Sequence, residues 1–211
     1  KVLLASSSVV YGPRTEDHKI FKESDIGCVD HLNPRSCYDE GRRFAETMFY
    51  TYGDVHKLDY KIARIFRTYG PHMPLFDGHQ IPDFVLQALN GEDVVVNGTE
   101  EFKTSVVYVT DVVDGMLRLM GYQGEERVMN FGSDLDLKLV EIAQKVIDLT
   151  GSSSKLRFEE QLAFLSELGL PDISLAKEKL GWLPVVQLEH GLQKTVEYIR
   201  ANKILLTGEG N

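Results

Sequence analysis

The order of elements in the first 66 residues constrains this chain more than any other feature. Lys1 to Ala5 (KVLLA) is a short apolar run closed by Ser6, Ser7 and Ser8. It has the pattern of a strand buried on both faces that ends in a polar turn. Residues Pro13 to Pro34 are polar and irregular, and then Ser36, with Glu40 in the first helical turns, opens a long helical pattern toward His56. Tyr60 to Phe66 (YKIARIF) reads as a second strand. A strand, a crossover helix and a strand in that order fix a parallel pair with a right-handed connection, so the base architecture is α/β.

The rest of the chain keeps the alternation. Thr68-Tyr69-Gly70-Pro71 and Asp77-Gly78 break the pattern, and Ile81 to Leu89 has helical spacing. Asp93 to Val96, Ser105 to Val109, Arg127 to Phe131 and Lys155 to Phe158 read as strands. Thr110 and Asp111 are expected to cap a helix reaching Met120, with the Asp111 carboxylate at the positive end of the helix dipole. Leu137 to Leu149 closed by Gly151, Ser174 to Leu180 closed by Gly181, and Leu188 to Leu206 complete the helices. No internal repeat or low-complexity linker interrupts them.

Composition removes whole classes of function. With 23 Lys and Arg against 32 Asp and Glu, the net charge of −9 leaves no basic excess for a phosphate backbone, so nucleic acid is not an expected partner. No apolar run approaches the roughly 20 residues of a membrane span, and Lys1 to Ala5 is too short for a targeting leader. Cys28 and Cys37, two cysteines without zinc-site spacing, fit a reducing intracellular compartment, cytoplasmic or organellar. The six histidines show no metal-helix pairing, so no metal site is expected. The acid-rich stretch 158–167 is a solvated face or an interaction surface.

Four motifs in order carry more information than any one of them. They are Leu3-Leu4-Ala5-Ser6-Ser7-Ser8 with Val10-Tyr11-Gly12, Arg35-Ser36-Cys37-Tyr38-Asp39-Glu40-Gly41-Arg42, Ala63-Arg64-Ile65-Phe66-Arg67-Thr68-Tyr69-Gly70-Pro71, and Tyr108-Val109-Thr110-Asp111. Together they strongly resemble the extended short-chain dehydrogenase/reductase family (NAD-dependent epimerases and dehydratases), nearest to its UDP-glucuronate decarboxylases. Pro171-Asp172-Ile173 and Ala176 to Trp182 extend the likeness over nearly the whole chain. The resemblance implies the carboxyl-terminal part of a Rossmann-like parallel sheet with a smaller α/β substrate-binding lobe. Residues 1–67 would be the remainder of the dinucleotide-binding domain and 68–211 the substrate lobe, with 105–133 returning to the sheet.

In that family NAD oxidises the sugar C4 hydroxyl, the 4-keto acid loses carbon dioxide, and the hydride returns, while the protein supplies an acid-base tyrosine and orientation. By resemblance, Tyr38 is that tyrosine, and Ser7 and Ser8 are the small hydroxyl residues that hold the reacting oxygen. A tyrosine works as base only if a neighbouring cation lowers its pKa from about 10. The family's cation, a lysine one helical turn on that also meets the cofactor ribose, is Arg42 here, which keeps the charge but changes its shape. Without the likeness, Tyr38 and Arg42 read as a half-buried helix tyrosine and a surface arginine.

Several positions depart from the decarboxylase pattern. Val9 stands where those enzymes carry a glutamate, and Thr104 where they carry an arginine to clamp a substrate carboxylate. On the nucleotide-sugar side, Arg67, beside Thr68, replaces an asparagine, Asn97 replaces an aromatic residue that would lie against uracil, and Gly169 takes the place of a diphosphate-binding arginine. The Gly-x-Gly-x-x-Gly turn that meets the cofactor pyrophosphate does not occur in these residues. From this the chain alone is expected to bind NAD poorly and to expose a sheet edge that another chain or a preceding segment covers.

Three functions follow. One is a nucleotide-sugar decarboxylase acting on a UDP-sugar. Another is a degenerate, non-catalytic dehydrogenase-like subunit of a larger assembly, which the altered site positions favour. The third is an epimerase or dehydratase, which needs the tyrosine and hydroxyl but no decarboxylation groups. Family members associate through helices flanking the tyrosine, so Phe44, Met48 and Tyr52 are candidates for an oligomer interface as well as for the core.

Overall fold

A computed structural model describes residues 1–75, 77–160 and 167–207. Along the chain run β1 (Val2–Ser7), a 3-10 turn (Ser8–Tyr11), β2 (Ile20–Phe21), α1 (Ser36–His56), β3 (Tyr60–Ile65), β4 (Thr68–Tyr69) and α2 (Gln80–Asn90). They are followed by β5 (Val94–Asn97), β6 (Lys103–Thr104), β7 (Val107–Tyr108), α3 (Val109–Gly121), β8 (Val128–Phe131), β9 (Leu137–Lys138) and α4 (Leu139–Thr150). The last elements are β10 (Leu156–Glu159), β11 (Leu170–Pro171), α5 (Ser174–Leu180) and α6 (Leu188–Thr207). The chain divides into two compact units.

The first unit comprises Lys1–Thr68, Ser105–Asp136 and Ala163–Val185. Its sheet has the order β1-β3-β8, and both pairs are parallel, with Ala5 opposite Ala63 and Ala63 opposite Met129. The strand-helix-strand reading of the first 66 residues therefore holds, with β1 at an edge of the sheet among the described residues. Ala63, Leu119, Met129, Phe131, Ala176 and Trp182 form one core cluster. The Trp182 ring meets Phe131 edge-on at 5.0 Å, and its Nε1 donates to the Asp111 carbonyl at 2.8 Å, so the one tryptophan is buried without stranding its polar atom. A second cluster joins Val10, Tyr11, Phe21 and Phe66.

Local details differ from expectation for identifiable reasons. The serines after Ala5 are not all turn: β1 continues through Ser7, because Ser6 and Ser7 still pair opposite Arg64 and Ile65. The α1 boundaries match, but Ser36 does not cap it, since its hydroxyl donates to the Asp30 carbonyl. Thr110 and Asp111 do not cap α3 either. They lie within its first turn, and the Asp111 carboxylate accepts from the Val185 backbone N–H at 3.1 Å. Within the irregular stretch 13–34, β2 pairs in parallel with β11, a two-residue ladder too short to produce a periodic signal.

The second unit comprises Tyr69–Thr104, Leu137–Leu162 and Val186–Asn211. Helices α2, α4 and α6 pack on one another and bury Phe84, Ile142 and Leu192, while β5 pairs in parallel with β10. Gly151 and, in the first unit, Gly181 close α4 and α5 in the left-handed conformation, as their positions predict. Residues 161–166 of the acid-rich stretch lie outside the described residues. Among the described residues no helix is long and apolar enough to cross a membrane, and no group of three or more His, Cys, Asp or Glu is placed to hold a metal ion.

Candidate functional site

Within the first unit, the carboxyl ends of β1 and β3 and the start of α1 bring together most of the residues the sequence singles out. Ser7 ends β1 and turns the chain into the 3-10 turn, its Oγ accepting from the Val9 N–H at 3.4 Å. Ser8 and Val9 are buried, Val9 to 1% exposure. An apolar side chain with no contact with solvent is core, so the position of the expected glutamate is occupied by packing.

Tyr38 stands on the first turn of α1 with its side chain 44% exposed. Arg42, one turn on, lays its guanidinium carbon 5.0 Å from the Tyr38 ring centroid and donates from Nη1 to the Ala5 carbonyl at 3.0 Å. That bond ties α1 to β1 just before the serines. Arg35 approaches the same ring, 5.6 Å from its centroid, and pairs with Asp39 at 3.0 Å. The tyrosine thus has two guanidinium groups against its ring, an arrangement of cation–π type.

Arg67 and Thr68 follow β3. Thr68 Oγ1 donates to the Phe66 carbonyl at 3.0 Å, and the Arg67 carbonyl accepts from Val107 N–H at 2.9 Å. Burial pushes the half-buried Arg67 guanidinium down to about 10, and the Arg35 cation adds to the effect. It stays charged at neutral pH.

A buried polar network beneath these residues carries roles the sequence reading did not assign. Arg64, on β3, grips the Glu46 carboxylate with Nε at 3.1 and 3.2 Å and Nη2 at 2.8 Å. Its Nη1 reaches the Tyr11 hydroxyl at 2.9 Å and the Glu23 carbonyl at 3.0 Å. Ser6 Oγ donates to Glu46 Oε1 at 2.5 Å, and the Tyr11 hydroxyl donates to Asn130 Oδ1 at 2.8 Å. Burial opposes the Arg64 charge, and the Glu46 carboxylate more than restores it, so the group is held above its usual value. Burial pushes the Tyr11 hydroxyl up to about 12 despite Arg64. An arginine inside the apolar run YKIARIF is the signal for such a network, because a buried charge requires a partner.

The remaining candidates, Asn97 and Thr104, belong to the second unit. The backbone N–H of Asn97 donates to Gln80 Oε1 at 3.1 Å and its carbonyl accepts from Gln80 Nε2 at 3.4 Å, so Gln80 fixes the end of β5. Thr104 is buried at 4% exposure on β6. Gly169 lies in the first unit, where a Cβ would meet the Phe21 ring at 2.1 Å, so the residue there must be small.

Comparisons with known proteins identify the family and the fold. Residues 1–132 match the NAD dependent epimerase/dehydratase family. UDP-glucuronic acid decarboxylase 1 of Xenopus tropicalis is 40% identical over 202 residues, 95% of this chain and 47% of the relative. UDP-glucuronic acid decarboxylase 3 of Arabidopsis thaliana is 40% identical over 201 residues, 95% of this chain and 58% of its own. The chain spans about half the length of these curated relatives. Among solved structures, a UDP-glucose 4-epimerase of Thermotoga maritima with UDP-glucose superposes with a TM-score of 0.85 at 27% identity, covering 96% of this chain and 63% of that one. A UDP-glucuronic acid 4-epimerase of Bacillus cereus, in complex with UDP-glucuronic acid and NAD, shares the fold at a TM-score of 0.81 and 21% identity, covering 94% and 61%. The α/β architecture with a Rossmann-type parallel sheet is therefore that of these neighbours, and the chain belongs to the NAD-dependent epimerase/dehydratase family.

Proposed function

We propose that this chain is the tyrosine-bearing part of a protein derived from UDP-glucuronate decarboxylases, one that binds a nucleotide sugar and does not decarboxylate it. The observation that carries this reading is the state of the cation beside Tyr38. Arg42 is engaged by the Ala5 carbonyl and lies over the ring, so its charge serves helix-to-strand attachment at the place where the family's lysine serves the cofactor and the tyrosine. Val9, closed into the core, supplies no ionisable group.

The site keeps the parts that hold a sugar. Ser7 ends β1 and Ser8 begins the 3-10 turn beside the helix that presents an exposed Tyr38. Tyr38 is the residue of this chain that would meet the nicotinamide riboside of NAD, which supplies hydride acceptance and return when bound. Tyr38 would hold or pass the proton of the sugar hydroxyl, and the serine hydroxyls would orient that oxygen.

The test uses the full-length protein. Incubation with UDP-glucuronate and NAD should release no carbon dioxide and form no UDP-xylose by anion-exchange chromatography, while calorimetry reports nucleotide-sugar binding. Release of carbon dioxide at a steady rate overturns the reading. Conversion of UDP-glucuronate to its C4 epimer would instead favour an epimerase, the role for which the tyrosine and hydroxyls suffice.

A further inference from the structure

The amino end of the first unit's sheet holds a cavity of about 470 Å³, between the last turns of α1, the start of β3 and the loop from α3 to β8. Small-molecule sites run from roughly 300 to 1,000 Å³. Tyr60 opens β3 at this end and Arg67 follows β3 at the other, about 20 Å along the strand. Helix α1 likewise presents Tyr38 on its first turn and the cavity on its last ones. The cavity is therefore separate from the serines and Tyr38. Within it Tyr60 is only 4% exposed, its ring edge-on to Phe49 at 6.4 Å, and a Cβ on Gly53 would meet that ring at 2.1 Å. Arg127, just before β8, holds its guanidinium carbon 4.5 Å from the ring centroid. The Tyr60 hydroxyl makes no hydrogen bond to any described residue, and no wholly buried side-chain polar atom among them lacks a partner, so this hydroxyl reaches open space. A smaller recess that Tyr60 shares with Met48 and Tyr52 is almost wholly apolar, which leaves the larger cavity as the place where the hydroxyl emerges.

Most charges around the cavity are already engaged. Lys61, 3% exposed, donates from Nζ to the Gly124 and Glu126 carbonyls at 2.8 Å each. Asp54 pairs with Lys57 at 3.6 Å and Asp59 with Lys1 at 3.2 Å. Among the described residues the Arg127 side chain makes no ion pair or hydrogen bond, and neither does the exposed Glu125. Burial pushes the Tyr60 hydroxyl up from its usual value and the Arg127 charge pulls it back in part, so the phenol keeps its proton at neutral pH and can donate it to a hydrogen bond. We propose that this cavity binds a small organic carboxylate, held by the Arg127 guanidinium and the Tyr60 hydroxyl, with the Tyr50 ring and Leu58 as its apolar wall. A charged fork and a hydroxyl together match the two oxygens of a carboxylate. A dianionic phosphate fits less well, because Asp54, Asp59 and Glu125 also line the cavity.

Ligand-observed saturation-transfer NMR on the full-length protein tests the site with benzoate, benzamide and phenyl phosphate as probes. Benzoate should bind, and benzamide, which has the same shape without the charge, about tenfold more weakly. Arg127→Met and Tyr60→Phe should each weaken benzoate about tenfold, in the range for a hydrogen bond to a charged group. Tyr60→Phe keeps the ring against Phe49 and Gly53, so its result stands even where Arg127→Met fails to fold. Saturating UDP should leave benzoate binding unchanged, which separates this cavity from a nucleotide-sugar site at the carboxyl ends of the strands. Absence of benzoate binding up to about 10 mM overturns the proposal. So does benzamide or phenyl phosphate binding as tightly as benzoate, displacement of benzoate by UDP, or a change below twofold in Tyr60→Phe.

Discussion

Glu46→Gln is the sharpest test of how the site is held. The carboxylate meets Arg64 through three contacts of 2.8 to 3.2 Å and accepts from Ser6, and the two side chains of the pair are only 12% and 14% exposed. Glutamine keeps one acceptor oxygen and replaces the other with an N–H group that faces a guanidinium. Breaking a buried pair in this way costs about 3–5 kcal/mol, because the remaining charge is left without compensation. Arg64 retains the Tyr11 hydroxyl and the Glu23 carbonyl, so the lower end, about 3 kcal/mol, is expected. For a chain of this length that corresponds to a fall in Tm of about 6–12 °C. Trp182, buried in the core of the same unit, reports the transition by fluorescence in heat or urea. The paired replacement Glu46→Leu with Arg64→Met should lose less than Glu46→Gln alone, since it leaves no buried charge behind. A Glu46→Gln protein within about 1 kcal/mol of wild type would refute the claim that this pair fastens α1, with Tyr38 and Arg42, to the ends of β1 and β3.

Two further outcomes follow from the same unit. Gly115→Ala puts a Cβ 2.4 Å from the Phe131 ring and 3.0 Å from Trp182 Nε1, so overpacking should lower stability by about 1–3 kcal/mol in urea denaturation. Asp172 is held below its usual carboxylate range by hydrogen bonds from the Ser174 hydroxyl and from the Ser174 N–H, the latter at 2.8 Å, at the start of α5. A depressed folded-state pKa contributes stability that is present above the unfolded value near 3.8 and lost as pH falls through the folded one. Asp172→Ala should therefore cost about 1 kcal/mol at pH 7, and the gap to wild type should close below pH 4 in acid titrations followed by circular dichroism.

The sequence makes the fold legible where the pattern is long or chemically marked. The 21-residue span of α1, the apolar runs of β1 and β3, and the glycines closing α4 and α5 each combine an extended signal with a clear boundary. Reading fails where an element is two residues long, as with β2, β6 and β11, and in the capping residue of a helix, as at Ser36 of α1 and at Thr110 and Asp111 of α3. The serines, Tyr38, Arg42 and Arg67 could be named from motifs, but the way Arg42 is used could not. Its bond to the Ala5 carbonyl depends on the spacing of a helix and a strand 37 residues apart in sequence. The Glu46–Arg64 pair was equally hidden, although Arg64 in an apolar strand signalled that a partner must exist. Phe44 and Tyr52, open between core and interface in sequence, are 65% and 52% exposed among the described residues, so α1 does not spend them on the core of its own unit.

Val9 shows why restoring a missing chemical group is a packing problem before it is a catalytic one. In Val9→Glu the carboxylate begins at a position only 1% exposed, next to the buried Val10 and Tyr11. Burial disfavours the charged form, so the folded-state pKa of the new glutamate rises above its unfolded value of about 4.3. The sign of the linkage follows directly: the folded state then binds the proton more tightly, and the penalty grows as pH rises above about 4.3 until the folded pKa is passed. At pH 7 the variant should be less stable than wild type by at least about 3 kcal/mol, with much of the deficit recovered near pH 4. Urea denaturation at both pH values reads this difference. A Val9→Glu protein as stable as wild type at pH 7 would mean that position 9 can turn its side chain out of the core. In that case the absence of a glutamate there would be a single-residue change in chemistry, and the argument that packing has closed the position would fall.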